Sequence, residues 1–571
     1  MTIIIKRCKS LLIYTFSFIL LSVTIATAQK ASELIITEIM ADPTPTKGLP
    51  EKEYIELYNR SYRSINLNQW VLFYNATSVR FPDISINPKE YLIVTHRNNI
   101  ADFQAYGKVV GLNNFSLNNA GSTLLLKDTK NSTVFSVTYT DRWYTTDKAQ
   151  GFALEMIDID YPCVEAGNWV SSEAALQGTP GKENAVKASQ PDLTPPSLER
   201  YESESNSTVK LIFSEKLDSL SAISRNAYII DKSLVINKIT IESPANQHVY
   251  LSFSTPLQDN TLYTLTAKNI ADCSGNVLKE TKLSIANFQP ADSGDVVVNE
   301  ILFNPRSGGE DFVEIYNRSN KFISLKDWTL ANVDAAGTIT NSKLITHTHF
   351  ILQPRQFLVL SRNSGIVKAQ YFKTVSENIL EMASLPTFAD ESGTVILMNH
   401  NKKVFDRFDY TEDLHHPLID DKSGISLEKA DYNLPSSILS NWHSAVASEG
   451  YATPGYANSQ GVTANQKNLF IIEPEIFTPD GDGSDDVTQL KFSLDIHGYI
   501  ANAYVFDMQG RMLKQLAQNQ LLGVNDQLSW DGKSATNELV AVGYYVIFVE
   551  LFNPNGEKQE FKAKVVVGSK Y

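Results

Sequence analysis

Thr37-Glu38-Ile39-Met40-Ala41-Asp42-Pro43 and Tyr54-Ile55-Glu56-Leu57-Tyr58-Asn59-Arg60-Ser61 decide how this chain is read. In the second run, period-two spacing puts Ile55 and Leu57 on one strand face and Glu56 on the other. Both runs return later, as Asn299-Glu300-Ile301-Leu302-Phe303-Asn304-Pro305 and Phe312-Val313-Glu314-Ile315-Tyr316-Asn317-Arg318-Ser319. Ile65-Asn66-Leu67-Asn68-Gln69-Trp70 answers Ile323-Ser324-Leu325-Lys326-Asp327-Trp328. Gly151-Phe152-Ala153-Leu154-Glu155 answers Gly424-Ile425-Ser426-Leu427-Glu428, and Asn168-Trp169 answers Asn441-Trp442. Both copies close on Thr-Pro-Gly, at Thr179-Pro180-Gly181 and Thr453-Pro454-Gly455, with Asn184 and Asn458 after them. Repetition of this order makes residues 32–186 and 293–458 one domain used twice.

The rest of the chain follows the same short period. Leu211-Ile212-Phe213 and Val249-Tyr250-Leu251-Ser252-Phe253 are runs of strand length, and outside residues 1–28 no helical periodicity exceeds three turns. Polar stretches at Lys187–Pro196, Asn287–Asp295 and Asn458–Asn468 read as linkers. The expected architecture is all-β, with tandem Ig-like β-sandwich domains at residues 29–186, 192–287, 293–458 and 469–571. Four units suit a chain of 571 residues.

The repeated motifs resemble the lamin-tail domain, an Ig-like β-sandwich. The resemblance rests on the opening Glu-Ile, the Tyr-Ile-Glu-Leu-Tyr-Asn strand, the Leu-x-x-Trp and the closing Trp to Thr-Pro-Gly-x-x-Asn. Residues 192–287, with Asp192-Leu193-Thr194-Pro195-Pro196 and Asp272-Cys273-Ser274-Gly275-Asn276, resemble the bacterial Ig-like domain of surface-layer proteins. Residues 469–571 are similar to the Ig-like domain of flagellar hook-capping proteins and to C-terminal sorting domains of the Bacteroidota type IX secretion system. Their position and the basic end Lys562, Lys564 and Lys570 suit recognition by export machinery, and a plain structural module is the alternative reading. Asn555-Gly556 predicts a type I′ hairpin turn before the last strand.

Lys6, Arg7 and Lys9 precede an apolar run, Leu11 to Ile25, and Ala26-Thr27-Ala28 supplies small residues before a cut ahead of Gln29. Residues 1–28 therefore read as a signal peptide; the run is short for a retained membrane anchor. The expected location is extracellular or the outer cell surface, with no transmembrane anchor after cleavage. Losing three basic and no acidic residues moves the formal charge from −14 to −17, which disfavours nucleic acid. Cys163 and Cys273 remain, about 110 residues apart in different expected domains, so a mutual disulfide is not expected.

Asp480-Gly481-Asp482-Gly483-Ser484-Asp485-Asp486 concentrates hard oxygen donors. Asp480, Asp482, Asp485 and Asp486 are the candidate calcium ligands. Asp485 and Lys491 break the EF-hand pattern, and the competing reading is a turn whose carboxylates cap backbone N–H groups. Glu38 with Glu56, and Glu300 with Glu314, invite an acid–base reading. Their recurrence in both copies fits a fold-defining role better. Six of nine histidines lie in the second repeat. His347-Thr348-His349, read as a strand, would aim two imidazoles one way, and with Asp413 or His415 would suit zinc. No nucleophile elbow, P-loop or His-Glu-x-x-His is present. The expected function is a non-catalytic, exported cell-surface or secreted structural or adhesive protein, an adhesin, scaffold or matrix component, whose partner is a surface or matrix ligand, polysaccharide or protein. Accessory binding of polysaccharide or extracellular DNA is the alternative, followed by a metal-dependent hydrolase.

Overall fold

The computed structural model describes residues 33–74, 77–165, 167–461 and 468–569. Residues 1–28, read above as a signal peptide, linker residues 462–467 and Lys570 lie outside them. The chain is all-β. Among the described residues the longest helix is the seven-residue Ser364–Gln370, and no helix is long and apolar enough to cross a membrane.

The two repeats share one topology. In the first, a six-stranded sheet runs in the order Trp169–Ser171, Leu154–Met156, Leu34–Met40, Tyr54–Asn59, Tyr91–His96, Val109–Leu112. A four-stranded sheet, Thr133–Thr140, Gly121–Lys127, Val71–Tyr74, Thr77–Arg80, packs against it. The second repeat reproduces this order, from Trp442–Ser444 through Leu427–Lys429, Val296–Leu302, Phe312–Asn317 and Phe357–Ser361 to Ile379–Glu381. Alternation fills the space between the sheets with one apolar face of each strand: Ile39, Ile55, Leu57, Leu72 and Leu124 in the first core, Ile301, Val313, Ile315, Leu330 and Val395 in the second. The Trp of each closing strand caps its core, and Trp442 stacks on Phe408 at 3.6 Å between ring centroids.

Alternation would leave the opposite face of the central strands wet, yet Leu34–Met40, Tyr54–Asn59, Val296–Leu302 and Phe312–Asn317 are buried at every position. The outer face is covered too, by small apolar clusters around Met40 and Leu302 and by the Thr-Pro-Gly segment returning across the sheet.

Two further cores follow. One, around Leu211, Val249 and Leu265, lies between a four-stranded sheet and a three-stranded sheet formed by residues 198–285. The other, around Phe492, Trp530 and Ile547, lies between the three- and five-stranded sheets of residues 469–567. The hairpin before the last strand is not type I′. Only Gly556 is left-handed (φ 82°), Asn555 is not, and Gly556 N donates to Asn553 O at 2.9 Å. This is the type I turn with a left-handed glycine used by longer hairpin loops.

The cysteine expectation is corrected. Cys163 and Cys273 are joined by a disulfide, their Cα atoms 6.0 Å apart. The first repeat lies against the 192–287 unit, so sequence distance is no guide to spatial distance here. Lys216 pairs with Glu165 across the boundary and its Nζ donates to Ser136 O at 3.0 Å.

Candidate functional site

The polar residues that recur in both repeats converge on one place. Register sets Glu38 opposite Glu56 on one side and Glu155 on the other, and sets Glu300 opposite Glu314 and Glu428. All six carboxylates are fully buried. In each copy a bulge interrupts the ladder just before the central glutamate, between Ile36 and Glu38 and between Val298 and Glu300. A bulge re-aims the extra side chain. Thr37 Oγ1 thereby donates to Glu56 Oε1 at 2.9 Å, and Asn299 Nδ2 to Glu314 Oε1 at 2.7 Å.

The closing Thr-Pro-Gly supplies the remaining donors. Thr179 N donates to Glu38 Oε1 at 2.7 Å, Thr179 Oγ1 to Glu155 Oε1 at 2.9 Å, and Gly181 N to Glu56 Oε2 at 2.5 Å. Thr453 N donates to Glu300 Oε1 at 2.9 Å, Thr453 Oγ1 to Glu428 Oε1 at 2.7 Å, and Gly455 N to Glu314 Oε2 at 2.6 Å. Glycine is required at the third position. Gly181 has φ 82°, and a Cβ there would stand 2.0 Å from Tyr106 O. Asn184 Nδ2 then bonds Thr37 O and Met156 O, both at 2.9 Å, and Asn458 Nδ2 bonds Lys429 O at 2.9 Å.

Burial pushes Glu38 up to about 8, with the Glu155 charge second, and Glu300 up to about 8, with Glu428 second. Burial also raises Glu428 to about 7, and burial followed by the central glutamate holds Glu56 and Glu314 well above the carboxylate range. These carboxyls accept from backbone and hydroxyl donors of the same domain. The Glu38–Glu56 and Glu300–Glu314 pairs act as clasps.

The histidine expectation changes. His347-Thr348-His349 is a bend, not a strand. The His347 side chain is 85% exposed beside Asp327, whereas His349 stacks on Phe288 at 4.9 Å and its Nδ1 lies 2.6 Å from Ser324 Oγ. His415 is elsewhere, buried against Phe303 and bonded through Nδ1 to Ser444 Oγ at 3.0 Å. Sequence spacing could not show that only one imidazole of the pair turns inward.

Among the described residues, two trios place potential ligand atoms within 4.8 Å of one another. Asp480, Asp482 and Asp486 form one. Asp485 is outside it, left-handed at φ 54°, with its carbonyl accepting from Thr478 N. Asp486 accepts from Gly481 N at 2.6 Å and Gly483 N at 2.7 Å, and Asp482 Oδ1 from Ser484 N at 2.8 Å, so the loop caps its own backbone. Asp192, Glu215 and Asp272 form the second trio, in which burial first and Asp272 second raise Glu215 to about 7. Two of its members stand in motifs already noted, and only the fold brings Glu215 to them.

The two repeats match the Lamin Tail Domain family over residues 27–141 and 289–412. Both are lamin tail domains. Residues 189–289 match a Bacterial Ig-like domain. These are non-catalytic domain types. The closing strand Trp169–Ser171 and the Thr-Pro-Gly clasp fall beyond the first matched span, and their counterparts beyond the second. No curated protein matches the chain. Among solved structures, CopC from Methylosinus trichosporium OB3b is 18% identical, covering 18% of this chain and 97% of its own, with TM-score 0.14. The N-terminal part of the bacterial S-layer protein SbsC is 12% identical over 38% of this chain and 44% of its own, with TM-score 0.16. A Ca²⁺-stabilised, ice-binding adhesin of an Antarctic bacterium is 8% identical over 95% of each chain, with TM-score 0.12. At such scores none carries an argument about this chain.

Proposed function

We propose that this is an exported, non-catalytic surface or matrix protein, in which lamin tail and Ig-like domains form a scaffold for adhesion. The observation that supports it best is the fate of the repeated polar residues. The three buried glutamates of each repeat accept from the Thr-Pro-Gly segment of their own domain, with the same pairing of donors and acceptors in both copies. An acid–base pair would need a carboxylate turned toward substrate. The Cys163–Cys273 disulfide suits an oxidising compartment, as does the signal-like segment Met1–Ala28.

In this reading residues 469–571 address the chain to its export machinery, and the acidic loop is the place for calcium. Deleting residues 469–571 tests the first point: the shortened chain should accumulate in the periplasm while the full chain reaches the surface or medium. Surface delivery of the shortened chain would reduce the last domain to a structural module.

A second reading, polysaccharide binding, is favoured by one surface. On the outer face of the C-terminal five-stranded sheet, Lys564 lies over Tyr544 at 5.1 Å, Lys562 over Phe548 at 5.3 Å and Lys558 over Phe552 at 5.8 Å. Tyr544 is 54% exposed. Flat aromatic and cationic faces suit sugar rings. Retention of the purified chain on an immobilised anionic polysaccharide, lost in Tyr544→Ala, would favour it over pure scaffolding.

A further inference from the structure

The carboxylate trio of the Ig-like unit, Asp192, Glu215 and Asp272, takes no part in the clasps and is separate from the acidic loop at Asp480. Its members come from three segments. Asp192 lies in the linker leaving the first lamin tail domain, Glu215 follows the strand Thr208–Phe213, and Asp272 follows the strand Tyr263–Ala271. A β-bridge between Leu217 and Asp272 sets the last two segments side by side. One carboxylate oxygen of each residue lies within 4.8 Å of the other two.

This trio is withdrawn from water, as the Asp480 loop is not. Asp272 is 1% exposed, and Asp192 and Glu215 are partly buried. Asp272 is fixed by its own loop: Oδ1 accepts from Ser274 N and Asn276 N, both at 2.8 Å, and Oδ2 from Asn276 Nδ2 at 2.9 Å. Asn276 Nδ2 also donates to Asp192 O at 3.1 Å, which pins the linker to that loop. Asp192 Oδ1 accepts from Thr194 N at 3.1 Å. Its Oδ2 is shut off from solvent and has no hydrogen-bond partner among the described residues. Ser274 Oγ, two residues from Asp272, is buried and unpartnered in the same way. Such orphaned oxygens are rare in folded proteins and call for a water or an ion.

The charges point the same way. Burial, then Asp272 and Asp192, disfavour the ionised form of Glu215, and among the described residues neither a cation nor a hydrogen-bond donor offsets them. Three carboxylates gathered out of water repel one another, and a divalent cation between them reverses the sign of that interaction. The donors are all hard oxygens, without imidazole or thiolate, which selects Ca²⁺ or Mg²⁺ over zinc. Ligands drawn from three segments suit Ca²⁺, with its flexible coordination, better than Mg²⁺, which demands a near-ideal octahedron. We propose that Asp192, Glu215 and Asp272 bind one Ca²⁺ ion, which fastens the linker to the Ig-like domain. Cys273 adjoins Asp272, and its disulfide partner Cys163 belongs to the first repeat. Ion and disulfide thus brace the same junction.

The test uses the full chain carrying Asp482→Asn, which removes the contribution of the C-terminal loop, stripped by a chelator and titrated with Ca²⁺ alone by calorimetry. One ion per chain is expected, with a Kd of about 10⁻⁴–10⁻³ M, the range of extracellular modules. Glu215→Gln and Asp192→Asn, each close to the original in shape, should weaken binding by at least about tenfold, since affinity follows the ligand charge count. Glu280→Gln, an exposed carboxylate of the same domain, should leave it unchanged. Ca²⁺ should also slow protease cleavage within residues 187–196, and should not do so once Glu215→Gln is added. Glu215→Gln removes a like charge, so without calcium the chain should unfold no earlier with it, which separates lost binding from lost fold. No uptake by the stripped chain, or equal affinity with and without Glu215→Gln and Asp192→Asn, would overturn the proposal.

Discussion

The backbone N–H of Thr453 donates to Oε1 of Glu300 at 2.9 Å across 153 residues of sequence. Thr179 and Glu38 make the same bond in the first repeat at 2.7 Å. Each bond ties the end of a lamin tail domain to its opening strand, so the domain closes like a belt around buried carboxyls. A long-range tie of this kind adds stability only when the whole domain is assembled, which makes the two repeats cooperative units.

Replacing Thr453 by Val keeps the shape and removes the hydroxyl shared by Glu300 and Glu428. Two buried acceptors then lose a donor. Chemical denaturation of the full chain should show the second repeat destabilised by about 2–4 kcal/mol. An unchanged midpoint would mean that the hydroxyl contributes nothing to the clasp.

Gly181→Ala should be at least as harmful, because the left-handed backbone and the Tyr106 carbonyl both exclude a Cβ. The cost expected in the same measurement is above about 2 kcal/mol. Gly167→Ala is the comparison: its φ of 89° is also positive, but nothing lies within 4 Å of a Cβ there, so its loss should be smaller.

The clasps also set a pH dependence. Glu38 and Glu300 hold protons up to about 8 in the folded chain, against 4.5 ordinarily. Between those values unfolding releases protons, so stability falls as pH rises. The contribution is complete below about 4.5 and is lost as pH rises through about 8. Denaturation midpoints should therefore decline across that window, and Glu300→Gln should shallow the decline. A flat or rising profile for the unaltered chain would show that the carboxyls ionise freely when folded.

Calcium offers a separate check on the acidic loop. In the proposed reading, millimolar Ca²⁺ raises the unfolding midpoint of the C-terminal domain, and Asp482→Asn removes the gain. If Asp482→Asn and the unaltered chain respond alike, the loop is only the self-capped turn formed by Asp486 with Gly481 and Gly483.

Much of this was legible in the sequence because repetition substitutes for comparison. Glu38, Glu56, Thr179, Gly181 and Asn184 each have a counterpart at the same place in the second copy, which marks them as parts of the fold before any contact is known. Alternation showed which face of Tyr54–Asn59 enters the sandwich, but the covering of the opposite face depends on a segment more than 120 residues away. The Cys163–Cys273 bond, the Glu215 trio and the His443–His497 pair all arise from contacts between residues far apart in sequence. No local period encodes such contacts. The bend at His347 failed the strand reading for a related reason: His349 is drawn inward by Phe288 and Tyr201, residues of the preceding unit and its linker.

The central claim is that the chain works outside the cytoplasm as a disulfide-linked scaffold, and one measurement on intact cells tests it most directly. Cells are treated with a protease and a membrane-impermeant thiol reagent, and the chain is then examined with and without reduction. The expected result is cleavage from intact cells, with Cys163 and Cys273 unreactive until reduced. A chain protected from the protease and recovered from the cytosol with both thiols free would contradict it.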